Sequence, residues 1–184
     1  MREALLTDRL ILRDIVEDDA ELLHELDSDP EVMRYIGSHP IQDISAYRER
    51  TRNVYIPFQL HPWHGVRMVF ERSTGEFLGW AFIRPAPAAR NAKEFGWADP
   101  TEVEVGYRYR RAAWGRGIAT EAALALLQFA LHDASVTAIV ACASASNRGS
   151  LRVLEKLGLV KVGEVLLPDS AEPTIKLVRV PEQR

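Results

Sequence analysis

The chain has 184 residues, 47% of them apolar and 27% charged, with a formal net charge of −3. That length suits one domain, residues 1–184, able to bury a sizeable core, and the slightly acidic balance gives nucleic acid no global attraction. No run of about 18 apolar residues occurs, so no membrane span is expected. The charged opening "MREALLTDRLILRD" lacks the apolar core of a secretory signal, which points to the cytoplasm. A single cysteine, Cys142, excludes an internal disulfide and a multi-cysteine metal site.

In chain order, 9–14 reads as a short strand, and Asp18 or Asp19 is placed to cap a helix through 20–26. Pro30 begins a second short helix that Gly37 stops. The segment 42–55 predicts a third helix with Ile44, Tyr47 and Tyr55 facing inward. An aromatic loop, 55–65, follows, broken by Pro57 and Pro62. Strands 66–71 and 77–84 form a hairpin across "RSTGE", whose glycine can take positive φ. The proline-containing stretch 85–100 reads as a surface loop, mobile in part. A strand at 101–109 then runs into a long helix at 117–132.

The nearly all-apolar, β-branched segment 136–144 predicts a central strand covered on both faces, and Cys142 within it reads as a packed thiol. Residues 147–158 form a helix with Asn147 as N-cap and Gly158 as its stop. Strands 159–167 and 173–180 close the chain as a hairpin across "PDSAEP".

The junction at Gly115 and Gly117 is the chemically suggestive point. A helix start leaves backbone N–H groups unpaired at the positive end of the helix dipole, and anions bind there. Two glycines remove the Cβ atoms that would hold a phosphate away. Arg116 adds a charge and Thr120 a hydroxyl. A bare strand-to-helix turn without a ligand is the other reading. A Walker loop is absent, and the dinucleotide fingerprint fails at Thr120 in "GRGIAT", besides requiring a parallel βαβ unit.

The stretch "EVGYRYRRAAWGRGIATEA" resembles the acyl-CoA-binding motif of the GCN5-related N-acetyltransferases, the GNAT superfamily. "NRGSLRVLEKLGL" resembles its second signature, and with "LLTDRLILRD" both point to the ribosomal-protein N-acetyltransferase-like branch (RimJ/RimL-type). The resemblance spans essentially the whole chain. It implies a mixed α/β fold whose central, mostly antiparallel sheet is flanked by helices. That sheet would splay between the fourth and fifth core strands, here those ending near 109 and covering 136–144. It implies acetyl-CoA as co-substrate, an amine acceptor, and a homodimer as the assembly to expect; no nucleic acid, membrane or metal is expected.

The superfamily loop pattern falls on Trp114 to Ala119, with Trp114 in place of its usual glutamine or arginine. By resemblance, N–H groups of Gly115, Arg116, Gly117, Ile118, Ala119 and Thr120 hold the pyrophosphate. Tyr107, Arg108 and Tyr109 pair through their backbone with the pantetheine arm, and Asn147 and Ser150 reach the cofactor from the second helix. A helix cap alone is the other reading of Asn147, and the two roles can coexist.

Acetyl transfer to an amine needs a neutral amine, a polarised carbonyl and a stabilised sulfur leaving group. Period-two alternation puts Val103, Val105, Tyr107 and Tyr109 on one strand face and Glu102, Glu104, Gly106 and Arg108 on the other. Glu104 lies two residues before the strand glycine, close to where enzymes of the resembling family place a strand-borne base. By that resemblance it is the favoured base, directly or through water, against a reading as a solvated strand carboxylate; Asp169 is its competitor. The tyrosine with which many relatives meet the thiolate is Leu154 here, and Ser150 is the available donor in its place. His61 and His64, three apart, read as loop or substrate contacts rather than metal ligands, and Tyr55, Phe58 and Trp63 as walls of an acceptor pocket, with core packing the better reading for at least one of them. The leading expectation is an acetyl-CoA-dependent N-acetyltransferase; the rival is a non-catalytic acyl-CoA-binding or sensor module.

Overall fold

Leu10 and Leu12 are fully buried while Ile11 and Arg13 are half-covered, the alternation of a strand with one face on a core. Such strands dominate the computed structural model, which describes residues 2–36, 43–61, 64–133, 135–168 and 170–181. The strands are β1 (Leu5–Leu6), β2 (Leu10–Asp14), β3 (Gly65–Glu71), β4 (Phe77–Pro85), β5 (Glu102–Tyr109), β6 (Ala138–Ser144), β7 (Val160–Val165) and β8 (Thr174–Arg179). They form one sheet in the order β1-β2-β3-β4-β5-β6-β8-β7.

Every neighbouring pair is antiparallel except β5 and β6. That parallel contact lasts three rungs: Glu102 against Ala138, Val103 against Ile139 and Glu104 against Val140. Beyond it β5 runs on to Tyr109 and β6 to Ser144, so the sheet opens between them. This is the splay expected between the strand ending near 109 and the strand 136–144.

The helices are α1 (Ala20–Asp27), α2 (Pro30–Met33), α3 (Ile44–Arg50), α4 (Ile56–Phe58), α5 (Ala92–Phe95), α6 (Ile118–His132) and α7 (Arg148–Lys156). On one face, α6 and α7 bury Ile118, Leu127 and Leu154 against Leu12, Ile83, Val103 and Ile139. On the other, α1 places Leu23 and Leu26 with Met68 and Phe77.

Several local expectations are corrected. Asp19 makes no side-chain cap on α1 itself; its carboxylate accepts the Val16 N–H at 2.8 Å, closing the 3-10 turn Glu17–Asp19 that leads into α1, and pairs with Arg13 at 2.7 Å. α3 starts behind Asp43, whose Oδ1 accepts the Ala46 N–H, and widens into a π-type turn at Thr51–Tyr55 that continues into α4. Pro57 therefore lies in a helix, just after the π-type turn, and not in a loop. Gly37, the expected stop of the second helix, lies outside the described residues, and α2 is shorter than expected. The stretch 85–100 is a packed cover rather than a mobile surface loop. A 3-10 turn at Ala86–Ala88 and α5 bury Ala86, Ala89, Phe95 and Trp97 around Val140, and Lys176 Nζ donates to the Phe95 carbonyl at 2.5 Å.

Candidate active site

The edge of β5 that lines the opening has a defined polarity. Arg110 N–H donates to the Leu78 carbonyl at 2.9 Å, which makes Gly79 and Tyr109 a non-hydrogen-bonded pair in the antiparallel ladder. Tyr107 and Tyr109 consequently aim their own N–H and C=O groups away from β4 and into the gap. The indole N–H of Trp114 reaches back to the Tyr109 carbonyl at 2.9 Å, closing the end of that edge. Arg108 faces the other way: its guanidinium pairs with Asp27 and lies over the Trp80 ring.

At the end of β5 the chain turns through Gly115 (φ +72) and Gly117 (φ +80), and Gly117 caps α6 without any side-chain bond. Both glycines are required by conformation, since a left-handed φ is costly for other residues. A Cβ on Gly115 would meet nothing within 4 Å, and one on Gly117 only Arg9 Nη2 at 3.5 Å. The first-turn N–H groups of α6 thus open onto the cleft, at the positive end of a 15-residue helix. Arg116 does not join them. Its guanidinium pairs with Glu71, holding that carboxyl below its ordinary range, while Arg9 grips the Arg116 carbonyl at 2.9 Å.

The cleft encloses about 650 Å³ and is lined by Tyr107 to Tyr109, the turn from Trp114 to Thr120 without Arg116, and one side of α7 along its length. Apart from Arg108, which is paired with Asp27, its positive residues come from α7. Arg148, Arg152 and Lys156, spaced four apart on one ridge, all line it. All three are exposed, and among the described residues none has a salt-bridge partner. Their four-residue spacing is the one signal of this row in the sequence.

Asn147 caps α7: its Oδ1 accepts the Ser150 N–H at 3.0 Å. That fixes Ser150 in the first turn, where its Oγ lies 3.0 Å from Tyr107 Oη. Burial pushes the Tyr107 phenol up to about 12, so it stays neutral. Leu154 is in the core, 1% exposed.

Glu104 stands at the last paired rung, on the strand face opposite Tyr107, and is not among the cleft-lining residues. It is buried, not solvated, and its Oε2 takes a 2.5 Å bond from Arg84 Nε. Burial raises its carboxyl above the ordinary range, against the opposing pull of Arg84. Asp169 lies outside the described residues. A carboxylate missed in the sequence, Glu172, sits beside the cleft wall, accepting from the hydroxyls of Ser144 and Ser146 and from the Ser146 N–H at 3.1 Å. Its bonds to these serines, 26 and 28 residues away, leave no local sequence signal.

His61 and His64 stack at 3.8 Å near Phe58 and Arg2, apart from the cleft lining. Tyr55 packs with the α1-side core, and neither it nor Phe58 lines the cleft; Trp63 is outside the described residues. Cys142 is a half-covered thiol pushed up to about 12 by burial.

Residues 9–160 match the family model described as an acetyltransferase (GNAT) domain. The chain is 32% identical over 162 residues to the uncharacterized protein YkkB of Bacillus subtilis, covering 84% of each. It is 30% identical over 157 residues to the FsC-acetyl coenzyme A-N(2)-transacetylase of Aspergillus fumigatus, covering 85% of this chain and 64% of that one. RimL, a ribosomal α-N-protein acetyltransferase solved in complex with coenzyme A, has the same fold. It superimposes with a TM-score of 0.75 at 15% identity, over 97% of this chain and 98% of that one.

Proposed function

Because the chain belongs to the GNAT acetyltransferase family, whose co-substrate is acetyl-CoA, we propose that it acetylates a primary amine by direct attack in a ternary complex, the acceptor being a protein N-terminus or a small-molecule amine. One observation carries this reading. The opening between β5 and β6 unites a helix N-terminus, a strand edge and a hydroxyl pair in one cleft.

The residues suit the co-substrate. N–H groups from Gly115 to Thr120 would take the pyrophosphate, and the α7 row of Arg148, Arg152 and Lys156 adds the counter-charge that Arg116 spends on Glu71. The Tyr107 to Tyr109 edge would pair with the amide-bearing arm, Trp114 having taken the Tyr109 carbonyl. Ser150 at the Leu154-bearing helix and Trp114 at the loop support placing the chain in the ribosomal-protein N-acetyltransferase-like branch.

Acetyl-CoA supplies the thioester: the amine nitrogen forms a bond to the acetyl carbon, the C–S bond breaks with its electron pair on sulfur, and the amine proton leaves to a base or to water. The two faces of β5 divide the work. Glu104, raised by burial, would take the amine proton on one face, directly or through water. Ser150 would donate a hydrogen bond to sulfur on the other. A lysine amine, near ~10.4, must lose about three pKa units of protonation preference to react at neutral pH, whereas an α-amine near ~8 needs little help. A base matters correspondingly less for an N-terminal acceptor.

Initial rates of thiol release, with acetyl-CoA and the amine both varied, test the proposal. Intersecting reciprocal plots are expected for a ternary complex. Parallel plots, the mark of an acyl-enzyme, would rule out direct attack.

A further inference from the structure

Tyr107 and Ser150 belong to different elements, β5 and α7, and their hydroxyls meet on the cleft wall. The phenol has two acceptors within reach, Ser150 Oγ at 3.0 Å and the Ser150 carbonyl at 3.2 Å, but one proton to give. If it donates to the carbonyl, the serine proton turns inward onto the phenol oxygen. If it donates to Oγ, the serine proton is released toward the cleft. We propose that Tyr107 is a positioning residue that aims the Ser150 hydroxyl at the leaving sulfur by donating to Ser150 Oγ.

The inference rests on reading Ser150 as the donor to sulfur. The pair is anchored from two sides: the Ser150 backbone N–H is tied to Asn147 Oδ1 at 3.0 Å, and the Tyr107 ring is packed at the edge of the main core. A hydroxyl that accepts a hydrogen bond becomes a stronger donor, because the chain polarises along its length. Burial keeps the phenol protonated, so it remains a donor throughout the working pH range. Neither hydroxyl gives up its proton: sulfur keeps the electron pair of the broken C–S bond, and the amine proton leaves on the other strand face. The pair therefore stabilises charge without a net proton relay.

The thiol of bound CoA reports this directly, with no acceptor amine required. Its pKa can be read from thiolate absorbance over a pH series in the wild type, Tyr107→Phe, Ser150→Ala and the double variant, with CoA affinity by calorimetry and thermal melts as controls. Ser150→Ala is expected to raise the bound-thiol pKa, and Tyr107→Phe to raise it by about 0.5–1 pH unit, a three- to tenfold change in the thiolate ratio. The double variant should match Ser150→Ala alone, since the phenol acts only through the serine. A Tyr107→Phe effect that persists undiminished in the Ser150→Ala background overturns the inference, as does no effect in a folded, CoA-binding variant. If Ser150→Ala itself leaves the thiol unchanged, the role of Ser150 falls and the inference with it.

Discussion

Gly117→Ala separates the glycine's conformational job from its chemical one. At φ +80 a methyl group would approach only Arg9 Nη2, at an ordinary 3.5 Å, so no clash with the protein opposes it. The strain is that of the left-handed region, about 1–2 kcal/mol for an L residue, or roughly 2–8 °C in melting temperature for a domain of this size. Gly75, in the turn between β3 and β4, is the matched control: its φ is +74 and nothing lies within 4 Å of a built Cβ. Gly75→Ala should lose a similar amount of stability and leave CoA binding alone. At Gly117, by contrast, the strained turn no longer presents its N–H groups as a set. Losing one charge-assisted contact, about 1.5–3 kcal/mol, weakens CoA about 10- to 150-fold. Calorimetry on both folded variants is the assay. Equal CoA affinity in Gly117→Ala and Gly75→Ala would refute the assignment of this turn to the pyrophosphate, and Gly117→Val should exaggerate the same difference because valine tolerates this region least.

Glu104→Gln should lower kcat at neutral pH by about 10²–10⁴-fold and recover in part at high pH, where the amine deprotonates unaided; a parental rate and profile would move the base elsewhere, with Asp169 and Glu172 next to test. Replacing Arg148 and Arg152 together by alanine should weaken CoA about tenfold and flatten its salt dependence, whereas unchanged affinity and salt slope would detach the α7 row from the phosphates. Burial, with the charge of His61 adding to it, holds the His64 imidazole down to about 4, while the unfolded chain takes up that proton near 6.5. The unfolded state then binds more protons between pH 6.5 and 4, so stability is full above that window and falls as pH drops through it. Melting curves of the wild type should fall more steeply on acidification than those of His64→Gln, and parallel curves would contradict the assignment.

What the sequence disclosed is what local periodicity and spacing encode. The apolar run of β6, the long α6 behind two glycines and the Asn147 cap of α7 each announce themselves within a dozen residues, and together they place the opening of the sheet. What stayed hidden depends on partners far along the chain. Arg116 looks like a phosphate ligand until Glu71, 45 residues earlier, claims it. Glu104 looks solvated until Arg84 arrives from the neighbouring strand and the cover at 86–97 buries the sheet face beside it. That cover was misread for a related reason: prolines at Pro85 and Pro87 start short helical turns as readily as they break them, and alanines buried on a sheet look like loop filler. The Tyr107–Ser150 pair, 43 residues apart, could not be read from either motif alone.

The most direct test of the central claim is free-thiol release from acetyl-CoA in the presence of a broad amine panel, including peptides with free N-termini, polyamines and aminoglycosides, with the products weighed by mass spectrometry. The account predicts stoichiometric thiol and a product heavier by one acetyl group on at least one amine. Tight acetyl-CoA binding with no thiol release across the panel would contradict it and leave a chain that binds the acyl donor without transferring it.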